Sequence, residues 1–427
     1  MLKLITCNHN DIQKRRSCKA FCNALLVITC MFVISISSSA QKAYKPIKTA
    51  LKAKNYNEAI NQINKLKQDT TFCNDPKLYL FAIEANKGLN DAQNMKLYLK
   101  QKYDTIAFFS TTYQIVENAL KIDSIENRKK EEVNKQKPSR TIIEHLREYM
   151  PNIHAAARFF YKKHNYTEAN KYLRVCLDTP HSTIGELSQL PQNKDTVNAV
   201  LYTCAAYNLK DYKETSRYKE LALKQETSKP TILKYLALSA YNLNDTTTYK
   251  KWLVEGWNTY PNNAFFFTHL IDFYTQNKQY NHTLSIAEKQ LRADSLHVAA
   301  YLARSVVYYE TQQYDSCIVN ADCAIQTDST TAYAYYYKGA SYIGKVNNIE
   351  MPKKINSLPY KQALQKRQQL FMQAEPALET FRTLSPNDVQ LWGKLLYDTY
   401  YALNRGKKFA EIESILAKHT KATSTKP

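Results

Sequence analysis

Five positions in the middle of this chain, Thr203, Ala237, Ile271, Ser305 and Gly339, follow one another at a constant spacing of 34 residues. A fixed period of that length marks a structural unit stacked on copies of itself, and it constrains the fold more than any local propensity. Twelve residues after such midpoints comes a second small or short side chain: Ala169 after Ala157, Thr215 after Thr203, Thr283 after Ile271, Cys317 after Ser305. Each closes a recurring phrase of Tyr, two polar residues and a small one. The phrases are Tyr56-Asn57-Glu58-Ala59, Tyr166-Thr167-Glu168-Ala169, Tyr212-Lys213-Glu214-Thr215, Tyr280-Asn281-His282-Thr283 and Tyr314-Asp315-Ser316-Cys317. Two antiparallel helices approach closely only where the facing side chains are small, so midpoint and phrase read as the two sides of a helical hairpin. Larger residues at Leu233, Leu236, Phe267, Leu270 and Tyr301 then fill the layer between hairpins, because one hairpin cannot bury its apolar face alone. With 7 Gly and 13 Pro in 427 residues, punctuation is too sparse for a chain of β-hairpins, and the fold class is all-α.

Within the same register, Tyr274, Tyr308 and Tyr342 fall three residues after a midpoint, and Pro261 and Pro386 close two units. Tyr335-x2-Lys338-Gly339-x2-Tyr342 and Trp392-x2-Leu395-Leu396 carry the opening of the pattern W-x2-L-G-x2-Y, A-x3-F, P. The chain thus resembles the tetratricopeptide repeat (TPR) family. That resemblance implies a right-handed superhelical solenoid of seven to nine helix-turn-helix repeats, running from residue 41 to near residue 420. It also implies that the first helices line a concave groove and that the chain binds a protein or peptide there without catalysis. In that register the groove residues are Arg158 and Tyr161, then Lys234 and Tyr336, Asp272, and the row Tyr207, Tyr241 and Tyr309 with Asn208 and Asn242 beside it. Tyr and Arg are good anchors, giving large contact area and hydrogen bonds for few rotors. The alternative is that these tyrosines pad contacts between helices. Family members that clamp a carboxyl terminus place Lys and Asn four apart on the first helix; here Lys234 is followed at that spacing by Leu238, so that subtype is not implied.

Departures from the period set the domain organisation. Residues 41–125 read as degenerate repeats in which 45–68 and 77–102 pair, while 108–128 has no clear partner. Residues 126–139 are a charged helix end or linker, 140–343 the core array, and 369–420 the last repeats, with a disordered tail over 421–427. Inside the core, 178–195 contains Pro180, Gly185 and Pro191 and lengthens one repeat by 12 residues, since Tyr166 to Tyr212 is 46. A basic insertion over 344–368 adds about 23 residues within one hairpin. It carries Lys353 and Lys354, then Ser357 as a helix cap and Pro359 in the first turn of a helix through Lys361, Lys366 and Arg367. Insertions of this kind serve binding on one face of an array or merely lengthen a helix, and Lys353 and Lys354 are the binding candidates.

The first forty residues read as a secretory signal: Lys14, Arg15, Arg16 and Lys19, an apolar run from Ala20 to Ile36, then Ser38-Ser39-Ala40 at a cleavage point. An uncleaved anchor is the alternative, although about 17 residues broken by Asn23 and Thr29 is short for a bilayer. The mature chain is then exported, periplasmic or envelope-associated, and does not span the membrane. Loss of the signal lowers the formal charge from +21 to +17. For an exported protein that balance points to an acidic partner or an anionic envelope component rather than to nucleic acid. Five cysteines follow the signal, Cys73, Cys176, Cys204, Cys317 and Cys323, and an odd number leaves at least one unpaired within the chain. Cys176 and Cys204 are either a disulfide or two small buried side chains.

Chemistry is sparse. Neither G-x-G-x-x-G, a Gly-Lys-Ser/Thr loop, G-x-S-x-G, H-E-x-x-H nor Cys-x2-Cys occurs, and the histidines are scattered. The expectation is no catalytic residue, no metal and no cofactor.

Overall fold

In the computed structural model of the protein, which describes residues 42–130 and 140–424, helices follow one another in pairs, with no strand among the described residues. The signal segment, residues 131–139 of the charged stretch and the last three residues lie outside the described residues. The pairs are α1 (42–52) with α2 (Tyr56–Lys67), α3 (Pro76–Tyr98) with α4 (Thr105–Lys130), and α5 (Arg140–Lys162) with α6 (Tyr166–Asp178). After α7 (Thr183–Leu187), α8 (Asp195–Asn208) pairs with a second arm that holds α9 (Lys219–Ala222). Then come α10 (Lys229–Asn242) with α11 (Thr246–Thr259), α12 (Ala264–Gln276) with α13 (Tyr280–Ala293), and α14 (Val298–Glu310) with α15 (Tyr314–Thr327). α16 (Ala332–Asn347) with α17 (Leu358–Leu384) and α18 (Val389–Ala402) with α19 (Gly406–Ser424) complete the series. The chain divides into two units, 1–232 and 233–427, with the boundary in the first turn of α10.

One turn device recurs. Lys54, Lys100, His164, Lys210, Asn244, Lys278, Gln312 and Asn404, each between the two arms of a hairpin, adopt φ between 55° and 60°. A left-handed residue ends a helix by letting the next N–H reach back to an orphan carbonyl: Asn55 to Ala50, Gln279 to Tyr274 and Gln313 to Tyr308, at 2.9, 2.8 and 2.8 Å. The second helix then starts from a polar cap, with Asn55, Asn165 and Asp245 side chains accepting from the Glu58, Glu168 and Thr248 N–H groups at 3.3, 3.2 and 3.0 Å. Asn and Asp suit this place because a short side-chain oxygen satisfies a donor the helix leaves unpaired.

The small-on-small contacts are present. Ala157, Ala169, Thr203, Thr215, Ser305 and Cys317 are fully buried, and the Ser305 Oγ lies 3.5 Å from the Cys317 carbonyl across its hairpin. The tyrosine that opens a phrase packs against the next hairpin: a Cβ on Gly344 would fall 2.4 Å from the Tyr314 ring. In unit 2, α12, α14, α16 and α18 touch in succession, so each first helix leans on its neighbours in the series.

Four details differ from the sequence reading or complete it. Residues 77–102 are one arm rather than a pair with 45–68: α3 packs on α4, so 108–128 has a partner after all. Both helices exceed twenty residues and so break the 34-residue register; the join is marked by buried Asn90, whose amide donates to the Phe108 carbonyl at 2.9 Å and to the Thr112 hydroxyl at 3.0 Å. The phrase at Tyr212 opens no continuous helix but a 3-10 turn, Glu214–Ser216, followed by the single turn α9. Its residues are held instead by side-chain bonds to α6 and α8. α19 continues to Ser424, into the expected tail. Residues 358–368 form the front of α17, so the last 11 residues of the insertion lengthen the second helix, while 344–347 end α16 and 348–357 connect the two. Ser357 caps it, its Oγ accepting from the Tyr360 N–H at 3.3 Å.

Candidate functional site

The expected groove residues fall in both units. In unit 1, Arg158 is exposed on α5, and the half-buried Tyr161 hydrogen-bonds Cys204 on α8. Cys176 is buried, Cys204 half-buried, and both are free thiols raised by burial, so the pair is one of separate side chains. Tyr207 is half-buried, 6.1 Å from the Tyr212 ring. The Asn208 amide turns back on its own helix, donating to the Cys204 carbonyl at 2.7 Å, and Asn242 does the same to Leu238 in unit 2. Both asparagines therefore spend a donor on helix termination.

In unit 2 three expected residues come together. Lys234 on α10 places its ammonium 5.1 Å from the centre of the Phe265 ring on α12. Phe265 lies 4.0 Å from His269 on the same helix, and one turn on stands the exposed Asp272, whose carboxyl is raised by partial loss of hydration against the pull of His269. The Tyr249 phenol on α11 is pushed up to about 12 by burial and then by the charge of Asp272, and its ring lies 5.3 Å from Tyr241, which is 62% exposed. The result is a face with a cation, an anion, an exposed phenol and two supporting rings. Phe265, His269 and Tyr249 were missed in the sequence. Their signal is there: Phe265, His269 and Asp272 share a helical face at spacings of four and three, and Tyr249 stands where the phrase should have a small residue.

The second pair, Tyr309 and Tyr336, lies 6.3 Å apart inside a cluster with Tyr314, Tyr337 and Phe381. The Tyr309 phenol is pushed up to about 12, burial being the main cause. These rings fill the space between α14, α16 and α17, so here packing is the principal role. Lys353 and Lys354 are exposed in the segment before α17.

Unit 1 also holds a cleft of about 510 Å3 between α4, α6 and α8 that the sequence did not suggest. Its charges are matched internally. Arg174 donates to the Tyr202 hydroxyl at 3.2 Å and to Glu214 at 2.6 Å, and the Tyr202 hydroxyl donates to Glu214 at 2.5 Å. Lys171 pairs with Glu168 at 3.6 Å and lies 4.1 Å from the Tyr113 ring centre. The Tyr218 hydroxyl donates to Asp178 at 2.7 Å. This network fastens the broken second arm, 214–222, to its neighbours, which is why that arm holds position without a continuous helix.

No family model matches the chain, and no curated protein does. Solved structures of similar arrangement include the C-terminal part of a TPR repeat-containing protein from Cytophaga hutchinsonii, at 14% identity and a TM-score of 0.42, covering 61% of this chain and 93% of that one. A tetratricopeptide repeat protein from Parabacteroides merdae, also 14% identical, covers 63% of this chain and 97% of its own at a TM-score of 0.35. YrrB, described as a TPR protein with an unusual peptide-binding site, is 14% identical over 45% of this chain and 95% of its own, with a TM-score of 0.30. In its succession of helical hairpins the chain is similar to tetratricopeptide-repeat proteins.

Proposed function

We propose that the chain is a non-catalytic scaffold on the exported side of the cell, most simply in the periplasm, and that it holds an extended protein segment against the first-helix face of unit 2. One observation carries this reading: Tyr241, Lys234 and Asp272 stand exposed on adjacent hairpins, supported from beneath by Tyr249 and Phe265. An exposed phenol flanked by opposite charges offers a segment a contact surface and two points that fix its register. Among the described residues no helix is long and apolar enough to cross a membrane.

The test is selection of peptides from a random display library against the full mature chain, followed by titration of the best binders against Lys234→Met and Asp272→Asn. Groove recognition requires that both substitutions weaken binding. A second reading has its own observation: Lys353, Lys354, Lys361 and Lys366 are exposed and none has an ion-pair partner among the described residues. That basic strip suits an anionic envelope polymer or lipid surface. Binding through it falls steeply from low to physiological salt, whereas binding through the aromatic face falls little.

A further inference from the structure

The 12 residues that lengthen the repeat at 178–195 build a cavity of their own in unit 1. α7 and the segment after it fold back over α5, enclosing about 210 Å3. That is room for about seven waters at liquid density. The wall is fixed in place by backbone contact: a Cβ on Gly185 would fall 1.9 Å from the Thr179 carbonyl oxygen, so only glycine allows α7 this approach. Arg147 ties the far end, its Nε donating to the Ser188 carbonyl at 2.8 Å.

The lining combines two kinds of surface. Met150, Leu190 and Pro191 make it apolar, while Arg147, His154 and Lys194 bring nitrogen donors, and no carboxylate lines it among the described residues. His154 is 8% exposed. Its Nδ1 accepts from the Asn198 amide at 3.2 Å, so the ring carries its proton on Nε2, and that N–H has no partner among the described residues. Burial, then the charges of Lys194 and Arg158, hold the imidazole down at about 4, which keeps it neutral and the tautomer fixed. The guanidinium end of Arg147 and the ammonium of Lys194 are likewise without an acidic partner among the described residues. The adjoining Asp195 does not line the cavity; its carboxylate is held by the His181 Nε2 at 2.7 Å. A small chamber with apolar walls, an imidazole N–H without a protein partner and two exposed cations at its rim without acidic partners is complementary to one chemistry.

We propose that this cavity is a binding site for a carboxylate carrying a short branched apolar group, with the carboxylate on Arg147, Lys194 and the His154 Nε2–H and the apolar group against Met150, Leu190 and Pro191. It belongs to unit 1 and does not rest on the reading of the unit 2 face. Such a carboxylate comes from a free short-chain acid or from the apolar last residue of a protein chain.

The experiment is calorimetric titration of the full mature chain with 4-methylpentanoate, with N-acetyl-Gly-Leu, and with the amide of each. Binding of the free acid but not its amide supports the site and assigns it to small acids. Binding of the dipeptide acid alone supports it and assigns it to chain ends. Lys194→Met, at an exposed position that leaves the apolar stem, is expected to weaken binding about tenfold with an unchanged melting temperature, while Lys162→Met, on the same helix as His154, has no effect. The proposal is overturned if neither acid binds at millimolar concentration, if an amide binds as well as its acid, or if Lys194→Met binds like the parent.

Discussion

Replacing Tyr241 by Ala separates recognition from packing, because its ring is only partly covered. A tyrosine buries about 200 Å2 when fully enclosed. At 62% exposed, a little over a third of that is covered now, roughly 75 Å2. At about 25 cal/mol per Å2 that is at most about 2 kcal/mol, of which the alanine stub retains about half. The fold should lose about 1 kcal/mol. The uncovered remainder, roughly 125 Å2, is worth about 3 kcal/mol when a ligand lies over it, less about 1 kcal/mol for ordering the side chain. Tyr241→Ala should therefore weaken a groove-bound peptide by about 2 kcal/mol, near thirtyfold. Tyr309→Ala should show the opposite balance. Tyr309 is enclosed by Tyr314, Tyr336 and Tyr337, so about 2–3 kcal/mol of stability goes with it. The assay pairs fluorescence anisotropy of a labelled, library-selected peptide with thermal unfolding by circular dichroism. If selected peptides bind Tyr241→Ala within twofold of the parent, or if Tyr241→Ala unfolds as easily as Tyr309→Ala, the division between anchor and filler is wrong.

Three further outcomes follow from the fold. Gly344→Ala should destabilise by about 1–3 kcal/mol, because its Cβ meets the Tyr314 ring at 2.4 Å, and hydrogen exchange should quicken first in α15 and α16. Gln312→Gly should raise chemical-denaturation stability by about 0.5–1 kcal/mol, since Gln312 sits at φ 58° with a side chain that disfavours that region; an unchanged midpoint would show the turn to be unstrained. The buried Glu375 is gripped by Arg405 through two bonds to Nε at 3.2 Å and one to Nη2 at 2.9 Å, with Lys408 at 3.1 Å. Burial alone would raise the carboxyl, but those bonds outweigh it and hold it below its ordinary value. Its contribution is therefore present above the unfolded carboxylate value and is lost as pH falls through the folded one. Arg405→Met should lower the melting temperature at neutral pH, and the gap to the parent should narrow in acid; a gap independent of pH would exclude the carboxylate as the cause.

Much of the architecture was legible because stacking forces a period: wherever a hairpin is of standard length, the residue at its waist, small at all but Ile271, falls 34 after the last, as from Thr203 to Gly339. Where length changes, that signal fails. α3 and α4 pair through the polar residues Asn90 and Thr112 and through long helices, neither of which a spacing search detects. The arm after Tyr212 looks helical in sequence, yet its order comes from Arg174, Tyr202 and Asp178 on other helices, a tertiary effect invisible locally. For the site, register placed Lys234, Tyr241 and Asp272 on first helices but could not tell Tyr241, open to solvent, from Tyr309, half-buried among rings. Exposure depends on which rings pack alongside: Tyr241 meets Tyr249 of its own hairpin, whereas Tyr309 meets Tyr336 and Tyr337 of the next one.

The connection between α16 and α17 has a practical consequence. Elsewhere a single left-handed residue holds two arms together, so any change of length there would misalign them. Residues 348–357 replace that clasp with a longer strap, and Ile355 on it is 69% exposed. Foreign sequence spliced at this strap, such as an affinity handle or a fluorescent reporter, would loop outward while α16 and α17 keep their mutual grip, making it the natural port for instrumenting the protein in living cells.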